Sequence, residues 1–186
     1  MSKILIIAAL EKELNRLRIP NNVNIVYCGV GKVNAVVCTM RAITQFSPRM
    51  LLNYGTAGKV NSSSNISGIL PVSKVVQRDM NAEPLSPRGV TPFFLGPHEY
   101  YSGRDGYTCG SGDSFVTSSD PWLLAQNIDL VDMELFGIAT VAFDHKLPWQ
   151  SFKYITDDAN ESSGSDWADR VSLGEDLFVE TLKQFK

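Results

Sequence analysis

VNIVYCGVGKVNAVVCTMRAITQFSPRMLLNYGTAG, residues 23–58, decides the fold. An apolar run, Val23–Cys28, meets a glycine turn, Gly29-Val30-Gly31. A helical pattern follows over Lys32–Phe46, with Val33, Val36, Val37, Met40, Ile43 and Thr44 on one stripe at 3–4-residue spacing. Ser47-Pro48 breaks it, and a second buried run, Met50–Tyr54, ends in Gly55-Thr56-Ala57-Gly58. Strand, helix, strand joined by short turns is the βαβ unit of a parallel sheet.

The same alternation continues on both sides. Further strands are expected at Lys3–Ala9, Gly68–Gln77, Tyr107–Cys109 with a continuation around Phe115, Ile128–Val131 and Ser151–Ile155. Further helices are expected at Glu11–Leu17, Met133–Asp144 and Leu173–Phe185. The prediction is a single α/β domain over residues 1–186, with a central, mixed but mainly parallel sheet flanked by helices. Neither an internal repeat nor a linker divides it. Asn61–Asn65 is a polar, Ser-rich loop. Asn81–Gly106 is long and rich in Pro, Gly and aromatics, and loops beyond about 12–15 residues are usually lids or interface elements.

Composition narrows the function. The 186 residues are 44% hydrophobic, enough for one substantial core, and a net charge of −3 gives no long-range attraction for nucleic acid or an anionic membrane. The run Ile4–Leu10 falls far short of the ~20 residues that span a bilayer, and Glu11 and Lys12 directly after it argue against a signal peptide. Cys28, Cys38 and Cys109 are odd in number and widely spaced, and His98 and His145 are the only histidines. No disulfide framework, metal site or cofactor is therefore expected, and a cytoplasmic location is.

In open α/β sheets the reactive residues gather where strands run into helices. Five segments meet that description: Glu11–Glu13, Gly29–Lys32, Gly55–Lys59, Met133-Glu134 and Thr156–Asp158. Gly29-Val30-Gly31-Lys32 is not a phosphate loop, since Val26 stands where the first glycine belongs and Val33 where Ser or Thr must follow the lysine. Asp132 and Glu134, at a helix start, suit capping, but the Glu134 carboxylate can also accept bonds from two vicinal ribose hydroxyls. Phe115, after Gly110-Ser111-Gly112-Asp113-Ser114, is either a core residue or a platform for a planar base. Glycosidic cleavage needs a proton donor beside the departing base and a group that orients water, tasks open to Asp157 and to Glu11 or Glu13.

Taken together, these blocks resemble the 5′-methylthioadenosine/S-adenosylhomocysteine nucleosidases of the purine nucleoside phosphorylase family. The resemblance runs, in order, through Ile7–Glu13, Gly29–Ala35, Asn53–Gly58, Ser111–Val116, Val131–Glu134 and Tyr154–Ala159. It implies a homodimer acting on a small-molecule purine nucleoside, with Glu13 activating water close to Thr56, Thr56 and Gly58 among the substrate-binding residues, and Asp157 protonating adenine N7. It further implies that Glu134 binds the 2′- and 3′-hydroxyls with Met133 against the sugar. Phe115 would stack on adenine, the Val116 backbone would read the base edge, and Val30 would lie near the 5′ side.

The match at Glu13 favours hydrolysis, because two like charges about 4 Å apart cost about 4 kcal/mol at an effective dielectric of about 20, which opposes a phosphate nucleophile. The chain differs from typical members in being shorter between Leu17 and Val23, in Lys59 after the Gly-Thr-Ala-Gly turn, and in Arg78–Leu85. The alternatives are a phosphorylase, a nucleosidase for another purine nucleoside or a nucleotide such as AMP that recruits Arg78 or Lys59, and a non-catalytic nucleoside-binding protein.

Overall fold

The structure, a computed structural model, describes residues 4–61 and 63–185. Lys3, at the start of the first expected strand, and Ser62, in the Ser-rich loop, lie outside the described residues. Eight strands form one sheet: β1 (Ile4–Ala8), β2 (Asn24–Tyr27), β3 (Met50–Lys59), β4 (Ile69–Gln77), β5 (Glu99–Tyr101), β6 (Tyr107–Ser111), β7 (Leu130–Asp132) and β8 (Trp149–Asp157). The helices are α1 (Lys32–Phe46), α2 (Pro121–Ala125), α3 (Leu135–Asp144), α4 (Ser163–Arg170) and α5 (Glu175–Leu182).

The strand order is β2-β1-β3-β7-β6-β4-β5, and β8 pairs with both β3 and β4. That double pairing closes β3, β8, β4, β6 and β7 into a ring. β1 and β2 extend it in parallel from β3; β2, α1 and β3 form the expected βαβ unit, with β1 lying between its two strands. The pairs β3–β8, β4–β6 and β6–β7 are parallel, while β3–β7, β4–β5 and β4–β8 are antiparallel. The single-domain, mixed and mainly parallel α/β architecture read from the sequence is the one observed. One core lies between the sheet and α1 and α3, built on Leu5, Ile7, Leu51, Leu135 and Ile138. A second lies under α5, built on Ile6, Leu52, Tyr54, Phe152 and Phe178.

Several local expectations are corrected. Glu11–Leu17 is not a helix but a turn followed by a 3-10 turn at Arg16–Arg18, capped by Asn15, whose side chain accepts from the Leu17 amide. Glu13 is drawn inward by bonds to Leu10 and Thr56, and this tertiary pull overrides the local pattern. The expected strand continuation around Phe115 is a loop that leaves the sheet after Ser111. β3 instead runs five residues past Tyr54, so Thr56, Ala57 and Gly58 are strand rather than turn, paired with β8 on one edge and, from Gly58 on, with β7 on the other.

The apolar stripe expected to bury α1 also differs. The buried face is Ala35, Thr39, Ala42 and Ile43, whereas Val33, Val37 and Met40 stand exposed. Small side chains on the inner face let α1 lie close to α3, and of the expected stripe Ile43 is buried while Val33, Val37 and Met40 are left outward. β5, α2 and α4 are short elements of three to eight residues, and the sequence pattern did not mark them.

Candidate active site

The carboxyl ends of β1, β3, β6, β7 and β8 and the first residue after β4 border a cavity of about 150 Å³. Glu13, Val30, Thr56, Gly58, Phe115, Val116, Met133, Glu134 and Asp157 all line it. All nine residues singled out in the sequence therefore share one space. A larger, open cleft of about 1000 Å³ lies between β5 and the end of α3, but its charges are committed in part to pairs, Arg88 with Asp120 and Lys74 with Glu99. Nothing there resembles the convergence of carboxylates in the smaller cavity.

Glu13 is 4% exposed. Its Oε1 accepts from the Thr56 amide and the Thr56 hydroxyl, both at 2.9 Å, and its Oε2 accepts from the Leu10 amide at 3.0 Å. The extension of β3 is what makes this possible, because it carries the Thr56 amide and hydroxyl out to meet the turn after β1. Asp157, 7% exposed, closes β8; its Oδ2 accepts from the Thr156 hydroxyl at 2.8 Å and its Oδ1 from the Ala159 amide at 3.0 Å. A Cβ on Gly58 would come within 2.5 Å of Asp157 Oδ1, so only glycine leaves room for that carboxylate against β3.

Glu134 and Asp132 divide the roles that the sequence left open. Asp132 caps α3, accepting from the Leu135 amide at 2.8 Å and the Glu134 amide at 3.3 Å. Glu134 makes no capping bond; it reaches across to accept from the Gly31 amide at 2.9 Å. The next amide of the same turn, that of Lys32, donates to Asp113 Oδ1 at 2.8 Å. The free amides at the start of α1 thus tie together the loop that carries Phe115 and the junction that carries Met133 and Glu134. Gly31, with φ of 97°, supplies the backbone geometry for this turn. Phe115 is about half exposed at the cavity mouth and is not a core residue, and the Val116 carbonyl accepts from Ser163 at 3.3 Å.

Burial pushes the Glu134 carboxyl up to about 7, and the neighbouring Asp132 adds to the rise. Burial alone would depress the Lys153 ammonium, but Asp132, 2.7 Å away, outweighs it and holds Lys153 raised and charged. Asp132 is correspondingly lowered: burial opposes its ionisation, and Lys153 together with the Ser111 hydroxyl more than offsets that.

Four functional neighbours lay outside the set picked from sequence. Asp132, considered there only as a cap, also lines the cavity, as do Arg78 and Trp167; Lys153 lies beneath it, its Nζ within 3.2 Å of where a Gly55 Cβ would stand. Arg78 is buried, donates from Nη2 to the Gly112 carbonyl at 3.0 Å and to the Ser114 carbonyl, and from Nη1 to the Ser114 hydroxyl at 3.3 Å. It is a clamp on the Phe115 loop. A lysine in the middle of the apolar run Ser151–Ile155 was a readable signal of a buried partner; Arg78 was read only as a cation that a nucleotide could recruit, and Trp167 carried no signal.

Among the described residues lining the cavity, four are carboxylates and one, Arg78, is a cation. Such a lining suits a neutral ligand or a developing positive charge and opposes an anionic one.

The chain resembles known proteins in both sequence and fold. The chain is similar to the 5′-methylthioadenosine/S-adenosylhomocysteine nucleosidase of Staphylococcus epidermidis, 29% identical with 83% of this chain and 79% of the relative covered. Among solved structures it superposes on the nucleosidase of the same description from Helicobacter pylori with a TM-score of 0.87 at 22% identity, covering 100% of this chain and 97% of the other. It also superposes on a futalosine hydrolase of Helicobacter pylori, with a TM-score of 0.87 at 20% identity over 99% of this chain and 97% of that one. These structural likenesses establish a shared fold. The family model of the Phosphorylase superfamily matches residues 4–105, more than half of the sequence, and the chain belongs to that superfamily.

Proposed function

We propose that the protein hydrolyses the N-glycosidic bond of an adenine nucleoside, with 5′-methylthioadenosine, S-adenosylhomocysteine or 5′-deoxyadenosine as the candidate substrates. The observation that carries this reading is the presence of Glu13, Glu134 and Asp157 in one small cavity with Phe115 at its mouth. In the proposed reaction adenine stacks on Phe115 and Glu134 accepts from the 2′- and 3′-hydroxyls, with Met133 against the sugar and Val30 toward the 5′ side. Asp157 delivers a proton to N7, the C1′–N9 bond breaks, and the ribosyl group develops oxocarbenium character within the carboxylate-lined cavity. A water attacks C1′ while Glu13 takes its proton; solvent exchange restores both carboxyl groups. The name of the Staphylococcus epidermidis relative supports the substrate class.

The decisive assay is chromatographic detection of free adenine from these nucleosides in phosphate-free buffer. Adenine without phosphate is the expected result. Release only when phosphate is added, with a ribose 1-phosphate product, would make the protein a phosphorylase.

The titration of Glu134 gives a second test. A carboxylate accepts from a diol best when ionised, so KM is expected to rise on acidification below about 7. Stability should follow the opposite course in the unliganded protein. Because burial raises Glu134 from its ordinary 4.5 to about 7, the neutral form favours folding: that contribution is full below pH 4.5 and is lost as pH rises through 7. Glu134→Gln should flatten this part of the stability–pH curve while abolishing tight substrate binding. A curve unchanged by the substitution would remove Glu134 from the account.

The proposal extends to a homodimer in the cytoplasm. The outward stripe Val33, Val37 and Met40 runs from the turn bearing Val30, and Leu85, Phe93 and Leu95 stand exposed on the long loop. These apolar groups suit burial against a second copy, and the free thiols Cys28, Cys38 and Cys109 suit a reducing compartment.

A further inference from the structure

α4 brings Trp167 to the wall of the cavity, where its indole Nε1 donates to Thr56 Oγ1 at 2.9 Å. Thr56 Oγ1 in turn donates to Glu13 Oε1 at 2.9 Å. An indole N–H is a donor only, so it must occupy a lone pair of the hydroxyl. The hydroxyl proton is thereby directed at Glu13. Oε1 then receives two bonds, from the Thr56 hydroxyl and the Thr56 amide, while Oε2 receives one, from Leu10. A carboxylate oxygen accommodates about two such bonds. The chain of donors fills Oε1 and leaves the spare capacity on Oε2. The edge of the same indole meets Phe115, with ring centroids 6.3 Å apart and planes at 67°. Arg170, one turn further along α4, donates to the Thr156 carbonyl at 3.3 Å and anchors the helix beside Asp157.

We infer that Trp167 is a positioning residue that, through Thr56, selects Glu13 Oε2 as the oxygen that takes the proton from the attacking water. The inference rests on the hydrolytic reading of the cavity. It differs from simple packing because it assigns the effect to the indole N–H and not to the ring.

Trp167→Phe keeps an aromatic edge against Phe115 and deletes the donor; Thr56→Val deletes the relay, and Thr56→Ser retains it. With adenine release as the assay, Trp167→Phe should lower kcat about tenfold with KM nearly unchanged, since one directed hydrogen bond is lost. Thr56→Val should lower kcat at least as much, and Thr56→Ser, which keeps the hydroxyl, should lose clearly less than Thr56→Val. In the Thr56→Val background, Trp167→Phe should add little, because the two act on Glu13 in series. Full additivity, or a change confined to KM, would overturn the inference while leaving hydrolysis intact.

A second readout does not require turnover. The Trp167 indole N–H resonance, identified by its absence in Trp167→Phe, should move in Thr56→Val and, by less, in Glu13→Gln. An indole signal indifferent to both substitutions would overturn the inference even if no nucleoside were cleaved. Absence of adenine release by the parent protein would instead reject the hydrolytic reading.

Discussion

Asp157→Asn is expected to reduce adenine release by about 10²–10⁴-fold, the range that a positioned acid or base supplies, with little loss of folded stability. The local hydrogen bonds explain why the fold should tolerate it. The amide oxygen of Asn can keep the bond from the Ala159 amide that Oδ1 now accepts. The amide nitrogen replaces Oδ2, which now accepts from the Thr156 hydroxyl. That hydroxyl also lies 3.5 Å from the Ala57 carbonyl, so it can turn its proton there and accept from the new amide.

Glu13→Gln should be equally damaging to turnover but less innocent. Its oxygen can retain both Thr56 bonds, but its nitrogen would then face the Leu10 amide, donor against donor. An unmade bond of this kind costs about 1–3 kcal/mol. Kinetics paired with thermal melting check both variants: activity should fall alike, and the melting temperature should fall more for Glu13→Gln. Wild-type turnover in either would remove that carboxylate from its proposed role.

Much of this site was legible because its parts obey local rules. Gly29-Val30-Gly31 between an apolar run and a helical pattern marks a strand-to-helix turn. The carboxylates at 13, 134 and 157 sit where such turns occur. Topology then brings them together, since parallel strands place their carboxyl ends side by side. What escaped was set by contacts distant in sequence. β3 continues through Gly55–Lys59 because β7 and β8 offer edges to it, and no period in the segment shows that. The inner face of α1 was misread because Ala35 and Ala42 are small, and hydrophobicity points to Val33, Val37 and Met40 while close helix packing selects alanine. Trp167 lies in α4, whose sequence SGSDWADR has the indole as its one large apolar group, and its partner Thr56 is 111 residues away. Arg78 follows a strand like any surface cation, and its side chain lies buried where Gly112 of the opposite segment leaves it space.

Lys153→Met is expected to give the largest loss of stability. Lys153 and Asp132 are almost completely shielded from solvent and meet at 2.7 Å inside the ring of strands. Removing one partner of such a pair leaves a buried charge uncompensated, at a cost of about 3–5 kcal/mol. For a chain of this size that corresponds to a fall of about 6–20 °C in melting temperature. The bonds that remain to Asp132, from Ser111, Leu135 and Glu134, soften the loss without replacing the cation.

Two further results would separate charge from packing. Lys153→Met/Asp132→Asn should recover most of the stability, because the orphaned carboxylate is gone. The deficit of the single variant should also shrink toward low pH. In the parent, Lys153 holds Asp132 below its ordinary value, so the pair stabilises the fold above about pH 3.8 and is lost as pH falls through the lowered value. Without the lysine, burial and Glu134 push the carboxyl the other way, and protonation relieves it. A double variant no more stable than the single one would locate the cost in lost side-chain volume. It would also mean that the charge below the cavity is dispensable to the fold that holds Glu13 and Glu134 in place.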